Sequence, residues 1–380
     1  MKYNEEIPYW LALTHHLPRW GTEKTNRLIV SILHDNKSDL VTFFSHMNSD
    51  WKNIYSLTEK EIIDIQNAKK ELPNLSFLTE DLLSQGYEII TLNSPDYPKT
   101  LKDNLKTKHS PTLLYIKGNK RILQEDSVAV VGSRNADKTS LDFTDNISRL
   151  ASKEYKVVVS GFAKGVDKQA LDSAIKYKGQ SIIVLPQGIM TFESGFKKYY
   201  PQLVEGDVLV LSTFPAKAGW SIGLAMGRNT IIYGLAKEIY VAQSDEKGGT
   251  WSGVIDGLKK GRKIFVRFPE PDEKNANLIL IDRGAIPVDF NGAVLKSTDL
   301  PDMLHSEKSV DSSLNDNNWE KIIELLKHQT LTRKQILEKL ALEISDKELS
   351  EKLKTIPNII MVKKSNKTHY IFKTDNPTLF

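Results

Sequence analysis

A doubly wound, mostly parallel α/β sheet, with a helical domain before it and a winged helix after it, is the fold class predicted for this chain of 380 residues. Three observations predict it. Helix-spaced apolar residues fill roughly the first 86 positions, short β-branched runs recur through the centre, and a polar stretch sets apart a final segment of three helices and a hairpin.

From Tyr9 to about Gly86 the apolar residues recur at helical spacing, as in Leu28, Ile29, Ile32 and Leu33 and again in Ile62, Ile63 and Ile65. Pro18-Arg19-Trp20-Gly21 interrupts them. This predicts a helical domain over 1–86, of the SAM or helix-hairpin-helix kind. Two Pro-bearing connectors, Ser94 to Pro98 and His109-Ser110-Pro111, lead into the extended run Leu113 to Ile116. Six strands then begin at Val128, Val157, Ile182, Val208, Ile239 and Ile264. The intervals between those starts leave room for a crossover helix each time. Their apolar runs are continuous rather than alternating, so both faces of the sheet are expected to be covered, and ligands to bind beyond the carboxyl ends of the strands. This core is placed at 87–300. The polar stretch Ser306 to Asn318 cannot offset its ordering entropy and is assigned, with Pro301 onward, to a linker over 301–318. Beyond it, 319–380 reads as helices at Trp319 to His328, Thr332 to Leu340 and Ser345 to Leu353, then a hairpin framed by Ile359 to Val362 and His369 to Phe372.

Composition narrows the chemistry. The absence of cysteine excludes disulfides, thiolate metal sites and a Cys nucleophile, and fits a reducing cytoplasm. No leader-like start and no run of about 18 apolar residues is found, so no membrane association is expected. The net charge is only 52 − 48 = +4, so any polyanion partner must be argued from where the charges lie.

Two strand-turn-helix junctions carry the strongest signal. Val128 to Val131 runs into Gly132-Ser133-Arg134, a tight turn followed by a planar, permanently charged fork. Val157 to Val159 runs into Ser160-Gly161-Phe162-Ala163-Lys164-Gly165-Val166-Asp167. Here two glycines free backbone N–H groups at a helix start, and Lys164 adds full charge between them. The pattern is neither a Walker loop nor a dinucleotide fingerprint, and glycines at such turns also serve close helix-sheet packing. A third cluster, Gly227-Arg228-Asn229-Thr230, offers another arginine. A fourth, Lys247-Gly248-Gly249-Thr250-Trp251, offers bare amides, a hydroxyl and a ring that either stacks on a base or packs in its own domain. Conventional catalysts are missing: the eight histidines form no metal-ligand spacing and Gly-x-Ser-x-Gly is absent, so no catalytic residue and no metal is expected. In the last 66 residues, twelve Lys+Arg stand against nine Asp+Glu, with Lys352, Lys354, Lys363, Lys364, Lys367 and Lys373 around the third helix and hairpin. A DNA-gripping wing and a protein-interaction module both fit that pattern.

In this order the motifs resemble the DprA (Smf) family of DNA-processing proteins: Val130 to Arg134, Ser160 to Asp167, and Arg228-Asn229 followed by Ile231-Ile232-Tyr233-Gly234-Leu235. Tyr97-Pro98, Pro111 to Gly118 and Gly261 to Val266 also fit. The resemblance implies an extended Rossmann-like core in a cytoplasmic homodimer that binds single-stranded DNA, protects incoming strands and loads RecA recombinase in natural transformation, with no catalytic step and no cofactor. Carried over to this chain, Arg134 and Lys164 are the basic residues of the two turns, and Gly132, Ser133, Gly161 and Gly165 shape the pocket. The chain departs from the family pattern at Ser212-Thr213, in place of Ser-Glu, and at Ala225 to Thr230, in place of Phe-Pro-x-Arg-Asn-Arg. Lys247 to Thr250 is similar instead to the Gly-Gly-x-Gly-Thr stretch of LOG phosphoribohydrolases, without a Glu at their catalytic spacing. A nucleotide-ligand sensor or nucleoside-monophosphate phosphoribohydrolase using the same pocket is therefore the alternative. A third possibility is a regulator whose winged helix grips duplex DNA while the core only dimerises.

Overall fold

The amphipathic spacing of the first 84 residues resolves into six short helices, α1 (Lys2–His15), α2 (Thr22–Val30), α3 (Leu40–Ser45), α4 (Asn48–Asn53), α5 (Glu59–Lys70) and α6 (Leu72–Ser84). Helix starts are fixed by side chains: Asp39 accepts from the Thr42 amide at 2.7 Å, and Thr58 and Glu61 cap each other reciprocally. The structure is a computed structural model describing residues 2–296, 316–340, 349–350, 353, 359–364 and 367–372. It divides into two units, Met1–Ser297 and Thr298–Phe380. Within the first unit a single apolar cluster runs from Ile7, Leu11, Phe43 and Trp51 of the helices into the strands. Asn26 fastens the two regions. Its amide donates to the Thr107 and Ser110 carbonyls at 2.7 and 2.8 Å, and its oxygen accepts from the Thr112 hydroxyl at 2.9 Å.

Nine strands form one sheet: β1 (Glu88–Thr91), β2 (Leu113–Gly118), β3 (Ser127–Val131), β4 (Val157–Ser160), β5 (Ser181–Val184), β6 (Val208–Ser212), β7 (Glu238–Val241), β8 (Ile264–Arg267) and β9 (Ile286–Val288). Their spatial order is β1-β2-β6-β5-β4-β3-β7-β8-β9, with β3 to β9 mutually parallel, β2 antiparallel to β6 and β1 antiparallel to β2. The six β-branched runs are β3 to β8, each starting within one residue of its expected place. Two strands go beyond the sequence reading. β1 is four residues long, and β9 is a three-residue edge strand whose Pro287 a central position would not tolerate.

The linking helices are α7 (Lys99–His109), α8 (Lys138–Lys153), α9 (Val166–Lys176), α10 (Glu193–Lys198), α11 (Tyr200–Glu205), α12 (Ile222–Leu235), α13 (Gly249–Lys259) and α14 (Asn277–Asp282). Val128 and Val130 pack with Phe143, Ile147 and Ala170 of α8 and α9 on one face, whereas Ala129 and Val131 join the cluster holding Ile231, Ile232 and Val254 of α12 and α13 on the other. This two-sided cover is why the strands carry no polar alternation. The order reverses between β3 and β7, which opens a crevice at their carboxyl ends.

In the second unit, α15 (Asp316–His328) and α16 (Arg333–Leu340) precede an antiparallel pair, β10 (Ile359–Lys364) and β11 (Lys367–Phe372). Ile322, Leu326, Ile336, Leu349, Leu353 and Tyr370 share its core. Of the expected third helix only Leu349, Ser350 and Leu353 are described, all helical. The linker assignment at 301–315 and the positions Lys352, Lys354, Ser365, Asn366 and Lys373 lie outside the described residues, whereas 316–318 form the first turn of α15 rather than linker.

His15 joins α1 to the sheet by stacking on Tyr115, with ring centroids 5.9 Å apart and planes at 11°. Its Nε2 is sealed from solvent without a hydrogen-bond partner, and burial lowers its pKa from 6.5 to about 4, with His16 adding to the shift. The folded state therefore resists a proton that the unfolded chain accepts. Stability should be full above pH 6.5 and fall as pH drops through the window from 6.5 to 4, by up to about 3 kcal/mol. Urea unfolding across that range should show the fall, and His15→Gln should flatten it.

Candidate functional site

Two turns from adjacent strands meet at the crevice. After β3, the Ser133 amide donates to the Gln243 carbonyl at 2.9 Å, drawing the Gly132-Ser133-Arg134 turn onto the end of β7. A Cβ on Gly132 would lie 2.6 Å from Val166 Cγ2, so glycine is what lets α9 start there. After β4, the chain takes positive φ at Phe162 (62°) and Gly165 (85°) before entering α9. A Cβ on Gly165 would stand 2.4 Å from the Ser133 carbonyl oxygen, and the Val166 amide donates to that same oxygen at 3.3 Å. The turns are thus in backbone contact. Arg134 and Lys164 rise from them, both exposed, and line a common depression of about 320 Å3. Neither is held in an ion pair with any described residue.

Beneath this edge lies a buried ion pair. Arg228 of α12, 4% exposed, places Nη1 3.4 Å from Asp167 Oδ2 and donates from the same nitrogen to the Val184 carbonyl at 3.4 Å. Asp167 also accepts from the backbone amides of Ala163 and Gly161. Burial pushes the Asp167 carboxyl up from its ordinary value, and the Arg228 charge and those amides oppose it; burial likewise lowers the guanidinium. A Cβ on Gly161 would fall 1.2 Å from Arg228 Nη1, so this glycine makes space for the arginine.

The third wall is the start of α13. Gly248, at φ 92°, caps that helix without a side chain, leaving its first amides open. Gly249 admits Asn229, whose Nδ2 would lie 2.6 Å from an added Cβ, and the Tyr233 hydroxyl donates to the Thr250 carbonyl at 3.4 Å. Between the walls is a cavity of about 430 Å3 at the β3/β7 switch point. Asp245 stands at its edge and accepts from the Ser133 hydroxyl at 3.4 Å.

The structure gathers Gly132, Ser133, Arg134, Gly161, Phe162, Lys164, Gly165, Asn229, Gly248, Gly249 and Thr250 along one edge. Two expected ligand residues are engaged within the protein. Ser160 is fully buried with its hydroxyl donating to the Val130 carbonyl at 3.3 Å, and Arg228, which still lines both cavities, is bound through Nη1 to Asp167 and Val184. Phe162 is half-buried, edge-on to Phe192 at 5.0 Å and Tyr199 at 5.8 Å. Trp251 packs beneath the Arg283 guanidinium at 5.2 Å rather than facing the cavity. Sequence reasoning missed Trp220, which borders two of the cavities; its only signal was an isolated aromatic before a helix start.

Because Arg228 neutralises a buried carboxylate, Arg228→Met should destabilise the protein by about 3–5 kcal/mol near neutral pH. The loss should shrink as pH falls, since protonation removes the stranded charge, and the added Asp167→Asn change should recover much of it. Urea melts of the two variants at several pH values test this.

Residues 88–298, from β1 to just past β9, match the family model described as DNA recombination-mediator protein A. Among curated relatives, the DNA processing protein DprA of Streptococcus pneumoniae is 32% identical over 157 residues, 41% of this chain and 55% of that protein. The protein Smf of Synechocystis is 26% identical over 297 residues, 74% of this chain and 70% of the relative. The alignment thus spans only a little over half of the pneumococcal relative. The crystal structure of S. pneumoniae DprA superposes with a TM-score of 0.57 at 23% identity, covering 74% of this chain and 94% of that one, and shares its fold. With the matched region taking in the whole sheet and more than half of its length, the chain belongs to the DNA recombination-mediator protein A family.

Proposed function

We propose that this protein binds single-stranded DNA through its phosphates at the paired turns, without a catalytic step, and delivers the strand to RecA recombinase. One observation carries the reading. Arg134 and Lys164 emerge side by side from two turns in backbone contact, open to solvent and free of acidic partners within ion-pair distance. Exposed cations on anchored turns suit a phosphate backbone, which needs no base-specific contact. The relatives' names as DNA-processing proteins and the family's description as a recombination mediator agree with this role. A nucleotide-derived small ligand is the second reading, favoured by the open amides of Gly249 and Thr250 at the switch-point cavity.

Fluorescence anisotropy separates these. Labelled single strands should bind more tightly than duplex of the same sequence, with affinity falling as salt rises. Arg134→Ala and Lys164→Ala should each weaken binding about tenfold and reduce the salt slope by about one. Undiminished binding in both variants would place the strand elsewhere. Saturable AMP binding without strand binding would favour the second reading.

A further inference from the structure

Trp220 is 54% exposed and, among the described residues, makes no hydrogen bond or ring contact; Ile222 at 72% and Met226 at 41% continue the apolar surface. Other tryptophans with described side chains are accounted for. Trp10 and Trp51 are buried, Trp20 donates to Asp64 at 3.0 Å under the Lys24 ammonium, and Trp251 packs beneath Arg283. An open aromatic patch at the rim of a polar cleft marks a binding surface.

Its placement indicates what it binds. Trp220 lies in the wall of both the switch-point cavity and the depression that holds Arg134 and Lys164. The loop presenting it is anchored: the Ala218 carbonyl accepts from the Gly188 amide at 2.8 Å and the Ala216 carbonyl from the Met190 amide at 3.0 Å. Ser221, the next residue, caps α12 by accepting from the Leu224 amide at 3.2 Å. A preorganised loop loses little freedom on binding. Cations and a flat apolar face then stand together on one groove, complementary to a chain that alternates phosphate with exposed π-face. A duplex hides those faces, and a folded protein does not offer that alternation.

We infer that Trp220, extended by Ile222 and Met226, is the stacking platform for an unpaired base whose neighbouring phosphates are held by Arg134 and Lys164. This rests on the single-strand reading of the groove. The full chain is titrated at low salt with labelled oligothymidylate and with an abasic strand of equal length. The wild type should prefer thymidylate by about tenfold, Trp220→Ala should bring the ratio to near one, and Trp220→Phe should keep most of it. Arg134→Ala should weaken both strands alike and leave the ratio intact. A preference that persists in Trp220→Ala, or a wild type without preference, overturns the platform while the phosphate reading stands. Binding of neither strand ends both. Loss of self-association in Trp220→Ala with the preference retained assigns the patch to a second copy of this chain and overturns the platform too.

Discussion

The contact between Arg228 and Asp167 governs the ligand-facing edge. It runs from α12 to the first turn of α9, and through shared donors and acceptors it also reaches the end of β5 and the β4 turn. A charged pair at this depth gives little net stability, because desolvation cancels much of the attraction. What it gives is placement. Gly161 must lack a side chain to admit the guanidinium, the chain beyond it must turn sharply through Phe162, and Lys164 is thereby carried to the surface. A buried arginine thus positions a solvent-facing lysine.

A second buried network holds the other flank. Arg267 at the end of β8 donates to the Ala242 carbonyl at 3.0 Å and pairs with Glu273. Asn277 donates to the Ala242 and Arg267 carbonyls at 3.1 and 2.9 Å and accepts from the Ser244 amide at 3.0 Å. These bonds fix the segment after β7 on which Ser133 and the Asp137 amide lean through Gln243. Both sides of the crevice are therefore set by hydrogen-bonded polar groups beneath it.

Much of this was legible in the sequence, for physical reasons. The β-branched runs gave β3 to β8 almost to the residue because two-sided burial suppresses polar positions, and the glycine turns stood out because backbone contact leaves no room for Cβ. What stayed hidden depends on depth, which a linear pattern does not encode. Arg228 reads like any surface arginine until α12 is laid on the sheet, and Ser160 looks like a pocket hydroxyl until β4 proves central. Trp220 belongs to a loop without periodicity, so only the three-dimensional path of that loop brings it to the groove. β9 was missed because three residues including a proline carry no strand signature.

The abutment of Gly165 on the Ser133 carbonyl has a final consequence. It makes the two turns one mechanical piece, with the gap between the cationic stems gauged by main-chain atoms. Such a gauge is indifferent to the identity of surrounding side chains. Drift in sequence around it can be extensive while the pitch of the charges stays constant, whereas a single methyl at that glycine would pry the two stems apart.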